Sequence, residues 1–216
     1  MQNPTSTASP ARPIKLYRYR LSGHSHRVEL FLSLLRLPYE LIDIDLATGA
    51  HRTPEFLRLN PFGQVPVIDD AGFVLADSNA ILVYLAGQYS DGGWLPRDPA
   101  GSAAVQRWLS VAAGPIAHGV AAARLVTLFG AQLNAAEVIA RGNALLGVMD
   151  RTLGVTPFLT GNSPTLADVS CYSYTARAPE GNISLEPYSN VRAWLDRIEA
   201  LPGFIPMPAT KIGLAK

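Results

Sequence analysis

Residues 15–46 read KLYRYRLSGHSHRVELFLSLLRLPYELIDIDL, and the period of their apolar side chains changes twice. Lys15 to Tyr19 reads as a short strand that runs into the turn Ser22-Gly23. From Ser25 the spacing lengthens: Val28, Phe31, Leu32 and Leu35 recur at helical spacing, and Pro38 ends the run. From Tyr39 to Leu46 the alternation returns, with Ile42, Ile44 and Leu46 on one face and Asp43 and Asp45 on the other. Strand, helix and strand within about thirty residues define a βαβ unit, which makes its two strands parallel and its crossover right-handed.

The segments on either side extend that unit. His51 to Leu59 is a poorer helical stretch that Pro54 is expected to interrupt. Val65 to Ile68 and Phe73 to Ala76 flank Asp70-Ala71-Gly72 as a hairpin. Ser78 then opens a helix through Ile81, Leu82, Leu85 and Gln88. The order βαβ, α, ββα predicts an α/β domain with a mixed four-stranded sheet, leaving no room for a doubly wound dinucleotide fold.

Past the turn-rich stretch from Asp91 to Pro99 no segment reads as a strand. Gly101 to Phe129 is a long helical stretch with a kink expected at Gly114-Pro115. Asn134 to Leu153 is a second helix. Ser163 to Asp168 looks like a helix start, with Thr165 and Asp168 placed to satisfy its free N–H groups. Pro187 to Leu201 closes the series on a stripe of Val191, Trp194, Leu195 and Ile198. The expected division is a disordered tail over 1–13, an α/β domain over 14–89, a linker over 90–98 and an all-helical bundle over 99–216.

Composition narrows the function. The chain has 216 residues, 48% apolar and 16% charged, with a net charge of +1. This much apolar side chain excludes disorder of the whole chain. A near-neutral balance argues against nucleic-acid binding, which needs a basic excess. The single cysteine, Cys171, rules out an intrachain disulfide and fits a reducing compartment, so the cytoplasm is expected. Apolar runs such as Val28 to Leu35 and Ala80 to Ala86 fall short of the roughly 20 residues a bilayer requires, so no membrane role is expected. Residues 1–13 lack the apolar core of a signal peptide.

Three segments carry most of the chemistry: Leu16 to Val28, Asn60-Pro61-Phe62-Gly63-Gln64-Val65-Pro66-Val67, and Leu75-Ala76-Asp77-Ser78-Asn79-Ala80-Ile81. Thr165-Leu166-Ala167-Asp168 adds a fourth. In this order and spacing the chain resembles the glutathione transferase family over about residues 14–205, in its serine-type, bacterial theta- and zeta-like forms. The resemblance implies a thioredoxin-like N-terminal domain that binds glutathione and a helical C-terminal domain that shapes the pocket for a small hydrophobic electrophile. It also implies a homodimer, a role in detoxification, and glutathione as co-substrate with no metal.

The family's serine-type classes place their catalytic serine six residues before the Arg-Val pair, here Arg27-Val28, which falls on Ser22. A hydroxyl beside the N–H groups of a helix start suits an anion, and Ser22 thereby becomes the stabiliser of the glutathione thiolate. Ser25 is the rival; its bland reading is the helix N-cap. His24 borders the same place, where a protonated imidazole would favour the anion. Tyrosine-type members use a tyrosine near the end of the first strand, but Arg18 occupies that column, between Tyr17 and Tyr19. The family implies a cis bond at Val65-Pro66, with the Val65 backbone pairing with the cysteinyl part of glutathione. Asp77 and Ser78 would grip the ammonium and carboxylate of the γ-glutamyl end, while Gln64 and His51 would hold the glycine end, with Arg52 a further cation nearby.

The remaining polar residues read more plainly. His24 and His26 have no acidic or thiol partner at ligand spacing, so no metal is expected. His118, after Gly114-Pro115, either faces the cleft with Arg124 and Phe129 or is an ordinary helix residue. Asp168 reads as a helix cap and Cys171 as buried and inert. With no cysteine at the first helix start, thiol exchange by the protein itself is disfavoured. The resemblance leaves addition of glutathione to an electrophile, a glutathione-dependent peroxidase, isomerase or dehalogenase at the same site, or a non-catalytic binding protein.

Overall fold

The computed structural model describes residues 9–215; residues 1–8 of the expected disordered tail lie outside them. The chain forms two compact units. The first runs to Pro96 and also takes in Pro202–Pro206; the second comprises Arg97–Leu201 and the residues from Met207 onward.

The first unit is built on β1 (Ile14–Arg18), β2 (Tyr39–Asp43), β3 (Val67–Asp70) and β4 (Phe73–Ala76), in the order β2-β1-β3-β4. β1 pairs in parallel with β2, Leu16 opposite Leu41, and antiparallel with β3, Leu16 opposite Ile68. The mixed sheet expected from the sequence is therefore present, and Ile14, Leu16, Val67 and Ile68 are fully buried in it. Strand bounds differ from the reading, β1 by starting and ending one residue earlier and β2 and β3 by more. The β2 ladder stops at Asp43, although half-buried Ile44 and Leu46 continue to alternate with exposed Asp43 and Asp45. β3 begins at Val67, so Val65 and Pro66 precede it. Ala71 and Gly72 both have positive φ, 53° and 101°, which makes the hairpin loop a two-residue turn matching strand twist.

Three α-helices lie among the described residues of this unit: α1 (Gly23–Leu34), α2 (Pro54–Leu59) and α3 (Ser78–Tyr89). Pro54 does not interrupt α2 but opens it, because the first helical position needs no N–H; Thr53 caps it by accepting from the Phe56 N–H at 3.3 Å. The hydroxyls of Tyr84 and Tyr89 donate to Asp70 Oδ2 at 2.7 and 2.5 Å, tying α3 to the hairpin. Pro202–Pro206 is held on α1 at two points. His26 Nε2 lies 3.0 Å from the Ile205 carbonyl oxygen, and Ser33 Oγ donates to the Gly203 carbonyl at 2.6 Å. Gly203 has φ +90° and a Cβ there would stand 2.7 Å from the Ser33 carbonyl oxygen, so a side chain has no place.

In the second unit, α4 (Pro99–Val111), a π-helical stretch (Ala112–Ala121) and α5 (Ala122–Phe129) form one continuous helical run. Pro115 cannot donate to the helical ladder, and its ring crowds the carbonyl one turn back; wider turns accommodate both defects where a kink was expected. This run spans 31 residues and contains an 18-residue window with a mean hydropathy of 1.4, so by length and composition it could cross a bilayer. Its side chains Trp108, Leu109, Ile116 and Val120 instead lie buried in the core of this unit. α6 (Ala135–Leu153) crosses it at two glycines: a Cβ on Gly119 would lie 3.0 Å from the Gly142 amide nitrogen.

α7 (Leu166–Ala176) starts with the capping box expected at Thr165 and Asp168. Asp168 Oδ2 accepts from the Thr165 N–H, and Oδ1 accepts from the Leu159 N–H and the Trp194 indole N–H, each at 2.9 Å. Burial pushes the Asp168 carboxyl up, against the four hydrogen bonds that pull it down. α8 (Ser189–Glu199) buries the expected Val191, Trp194, Leu195 and Ile198.

Candidate active site

The loop from β1 to α1 is closed by hydrogen bonds in both directions. The Ser22 N–H donates to the Tyr19 carbonyl at 2.9 Å, and the Tyr19 N–H donates to Ser25 Oγ at 3.3 Å. Ser22, extended at φ −83° and ψ 120°, is the N-cap of α1: its Oγ accepts from the Ser25 N–H at 3.2 Å. The cap role read for Ser25 thus belongs to Ser22, and Ser25, almost wholly buried, braces the strand end. Ser22 is half-buried. A serine oxygen has two lone pairs and one O–H, so capping leaves the Ser22 proton as a donor to a ligand.

A second helix start lies at α3. Asp77 sits at φ 71° and ψ 118°, and its Oδ1 accepts from the N–H groups of Asn79 and Ala80, both at 2.9 Å. A non-glycine residue in that conformation costs roughly 1–3 kcal/mol and concentrates at functional sites. Ser78 is buried, and its Oγ accepts from Arg27 Nη1 at 3.0 Å. The same Nη1 donates to Asn79 Oδ1 at 2.9 Å. His24 Nδ1 stands 3.4 Å from Ser78 Oγ. The structure therefore brings His24, from the first turn of α1, together with the start of α3, through residues more than fifty positions apart in sequence.

Burial, aided by the Arg27 charge, lowers the His24 imidazole to about 3. That shift runs against the protonated imidazole expected beside the anion. Arg27 entered the sequence reading only as a marker of spacing. Nothing in its sequence surroundings signalled that its guanidinium would be 1% exposed.

The third segment lies before β3. The Val65-Pro66 bond is cis. Val65 is half-buried and lies outside both ladders of β3, whose register begins at Val67. Asn60, almost fully buried, holds the approach: its Nδ2 donates to the Gln64 carbonyl at 2.8 Å and its Oδ1 accepts from the Phe62 N–H at 3.0 Å. The sequence reading passed over Asn60, whose side chain does the work of two main-chain bonds. Gln64 is exposed. His51, in the 3₁₀ turn Ala50–Arg52, accepts from Arg52 Nε at 3.3 Å, and its Nδ1 is buried with no hydrogen-bond partner among the described residues. A Cβ on Gly63 would lie 3.0 Å from the His51 carbonyl oxygen, so His51 and Gln64 belong to one loop cluster.

Other candidates resolve as structural. Arg18, in the tyrosine column, bridges Glu29 and Asp43, the latter at 2.8 Å, and ties β1 to α1 and β2. Arg124 does not join His118 in a cleft: it is 2% exposed and paired with Glu180, while His118 is exposed. Cys171 is fully buried. No group of three or more His, Cys, Asp or Glu side chains able to hold a metal ion occurs among the described residues.

A sheet of this order, with a cis-proline ahead of β3 and capped helix starts at α1 and α3, defines a thioredoxin-like domain followed by helices. Comparison with known proteins narrows the class. Residues 12–87 match the glutathione S-transferase N-terminal domain, and residues 131–204 match the C-terminal domain. The chain is 36% identical over 215 residues to glutathione S-transferase 3 of Zea mays, covering 91% of this chain and 96% of that one. It is 32% identical over 200 residues to human glutathione S-transferase theta-2, covering 88% and 82%. A crystal structure of a glutathione S-transferase from Pseudomonas fluorescens aligns with a TM-score of 0.86 at 33% identity, covering 92% of this chain and 100% of that one. The chain belongs to the glutathione S-transferase family and is an enzyme of that family.

Proposed function

We propose that the protein binds reduced glutathione, holds its sulfur as the thiolate with Ser22, and adds it to small hydrophobic electrophiles. The cysteinyl backbone pairs with Val65 ahead of the edge made by Pro66. The γ-glutamyl ammonium meets Asp77 and the carboxylate meets the hydroxyl and N–H of Ser78, the next two N–H groups of α3 being held by Asp77. Gln64 and His51 take the glycine end, where the buried Nδ1 of His51 is a polar atom awaiting a partner. In the reaction the thiol proton leaves to solvent, the sulfur electron pair forms a bond to the electrophilic carbon, and the leaving group, where there is one, departs with its own pair. Family membership supports a homodimer, a cytoplasmic site and a detoxifying role.

The observation that carries this reading is the place of the Ser22 hydroxyl at the start of α1, where its oxygen accepts the Ser25 N–H and its proton remains for a ligand. A free thiol, with a pKa of about 8.5, is mostly protonated at neutral pH. Lowering it by two units requires about 2.7 kcal/mol of preference for the anion. A hydroxyl bond to a charged acceptor contributes roughly 1.5–3 kcal/mol and a helix start roughly 0.3–1 more. The requirement falls inside the range that these two contributions span, with no charge needed on His24.

Ser22→Asp and Ser22→Ala test it together. Aspartate keeps the cap acceptor but has no proton to give at neutral pH, so the variant should melt near the wild-type temperature and lose the ultraviolet thiolate band of the glutathione complex at pH 7. Alanine loses both and should also cost about 1 kcal/mol of stability. A thiolate band of wild-type strength in the aspartate variant would move the role to Ser25 or to the main chain.

A further inference from the structure

Arg27 is a large buried cation one turn into the site helix, and the proposed chemistry leaves it without a task. Its Nη1 holds Ser78 Oγ at 3.0 Å and Asn79 Oδ1 at 2.9 Å. Both acceptors belong to the first turn of α3, where Asp77 takes the N–H groups of Asn79 and Ala80 and the Ser78 N–H is left to face an anion. The guanidinium is 1% exposed, so its field reaches Ser78 through protein with little screening by water. Nη1 also fixes the Ser78 hydroxyl as an acceptor on that side, which turns its own proton away from Arg27.

We infer that Arg27 is a positioning residue for the carboxylate of the γ-glutamyl group: it orients the Ser78 hydroxyl and places a fixed positive charge behind the carboxylate seat. The inference rests on the reading that this carboxylate sits at Ser78. Arg27 touches no reacting atom. Its effect is on a part of glutathione that is the same in ground and transition states, so it acts on affinity and leaves turnover at saturation alone.

The test is a cycle between the side chain and the ligand group. Isothermal titration compares glutathione with its analogue lacking the γ-glutamyl carboxylate, 4-aminobutanoyl-cysteinylglycine, on the wild type, Arg27→Met and Arg27→Lys. The methionine variant should bind glutathione at least tenfold more weakly and the analogue less than twofold more weakly. Lysine, which restores the charge, should recover most of the loss, and kcat at saturating glutathione should stay within twofold throughout. Equal losses for both ligands would assign Arg27 a purely structural role and overturn the inference. A wild type that binds both ligands equally well would instead overturn the seating at Ser78. Should the methionine variant not fold, Asn79→Ala serves, since it removes one of the two acceptors that aim Nη1. It should lower the ratio of glutathione to analogue affinity at least threefold, and an unchanged ratio would overturn the inference.

Discussion

Burial and the neighbouring guanidinium of Arg27 lower the His24 imidazole from its ordinary 6.5 to about 3, and this fixes the direction of its effect on stability. The unfolded chain takes up a proton at His24 as the pH drops through 6.5, whereas the folded chain refuses it until about 3. The contribution is therefore nil above pH 6.5 and grows more unfavourable as the pH falls toward 3, after which it is constant. In His24→Asn that part of the acid lability should vanish, seen as a shallower loss of denaturant midpoint between pH 6.5 and 4 than in the wild type. Parallel curves would mean that the folded imidazole titrates normally. At this scale the sequence showed which residues cluster at the α1 start, but not their protonation. His24 and Ser78 meet only through the packing of α1 beside α3, and burial at a pair so far apart in sequence leaves no periodic mark.

The helical run through Pro115 shows what an element's sequence does and does not disclose. Gly114, Pro115 and Gly119 look alike as breakers, yet their surroundings differ. A Cβ on Gly119 would meet the α6 backbone at 3.0 Å, whereas one on Gly114 would meet nothing within 4 Å. Gly119→Ala should therefore destabilise by about 1–3 kcal/mol, because two main chains must part. Gly114→Ala should be neutral or stabilising by up to about 1 kcal/mol, since it only removes freedom from the unfolded chain. Thermal melts of the two variants check the contrast, and similar shifts would refute the close crossing. Strand and helix identities were legible here because their apolar periods differ. Boundaries were less so: Pro54 and Ser22 each carry a local signal for a helix start that competes with an equally local alternative. The β3 start at Val67 depends on the pairing with β1, which residues 65–68 alone do not encode.

Across the whole molecule the feature no local pattern announced is the return of Pro202–Pro206 to the first unit. Gly203→Ala should show its importance. A methyl group 2.7 Å from the Ser33 carbonyl oxygen, on a backbone at φ +90°, must push the segment off α1. Amide hydrogen exchange should then quicken in α1, around His26 and Ser33, more than in α6, and unchanged protection of α1 would show that the segment contributes nothing to holding it.

The same strap bears on how the protein is made. His26 and the carbonyl it meets at Ile205 are separated by 179 residues. A ribosome adding about 5–20 residues per second needs roughly 10–35 seconds to cover that distance. Throughout that interval the nascent chain carries α1 without the backbone segment that fastens it. Packing of the first unit is thus complete only once residues 202–206 have been made, long after the helix they fasten.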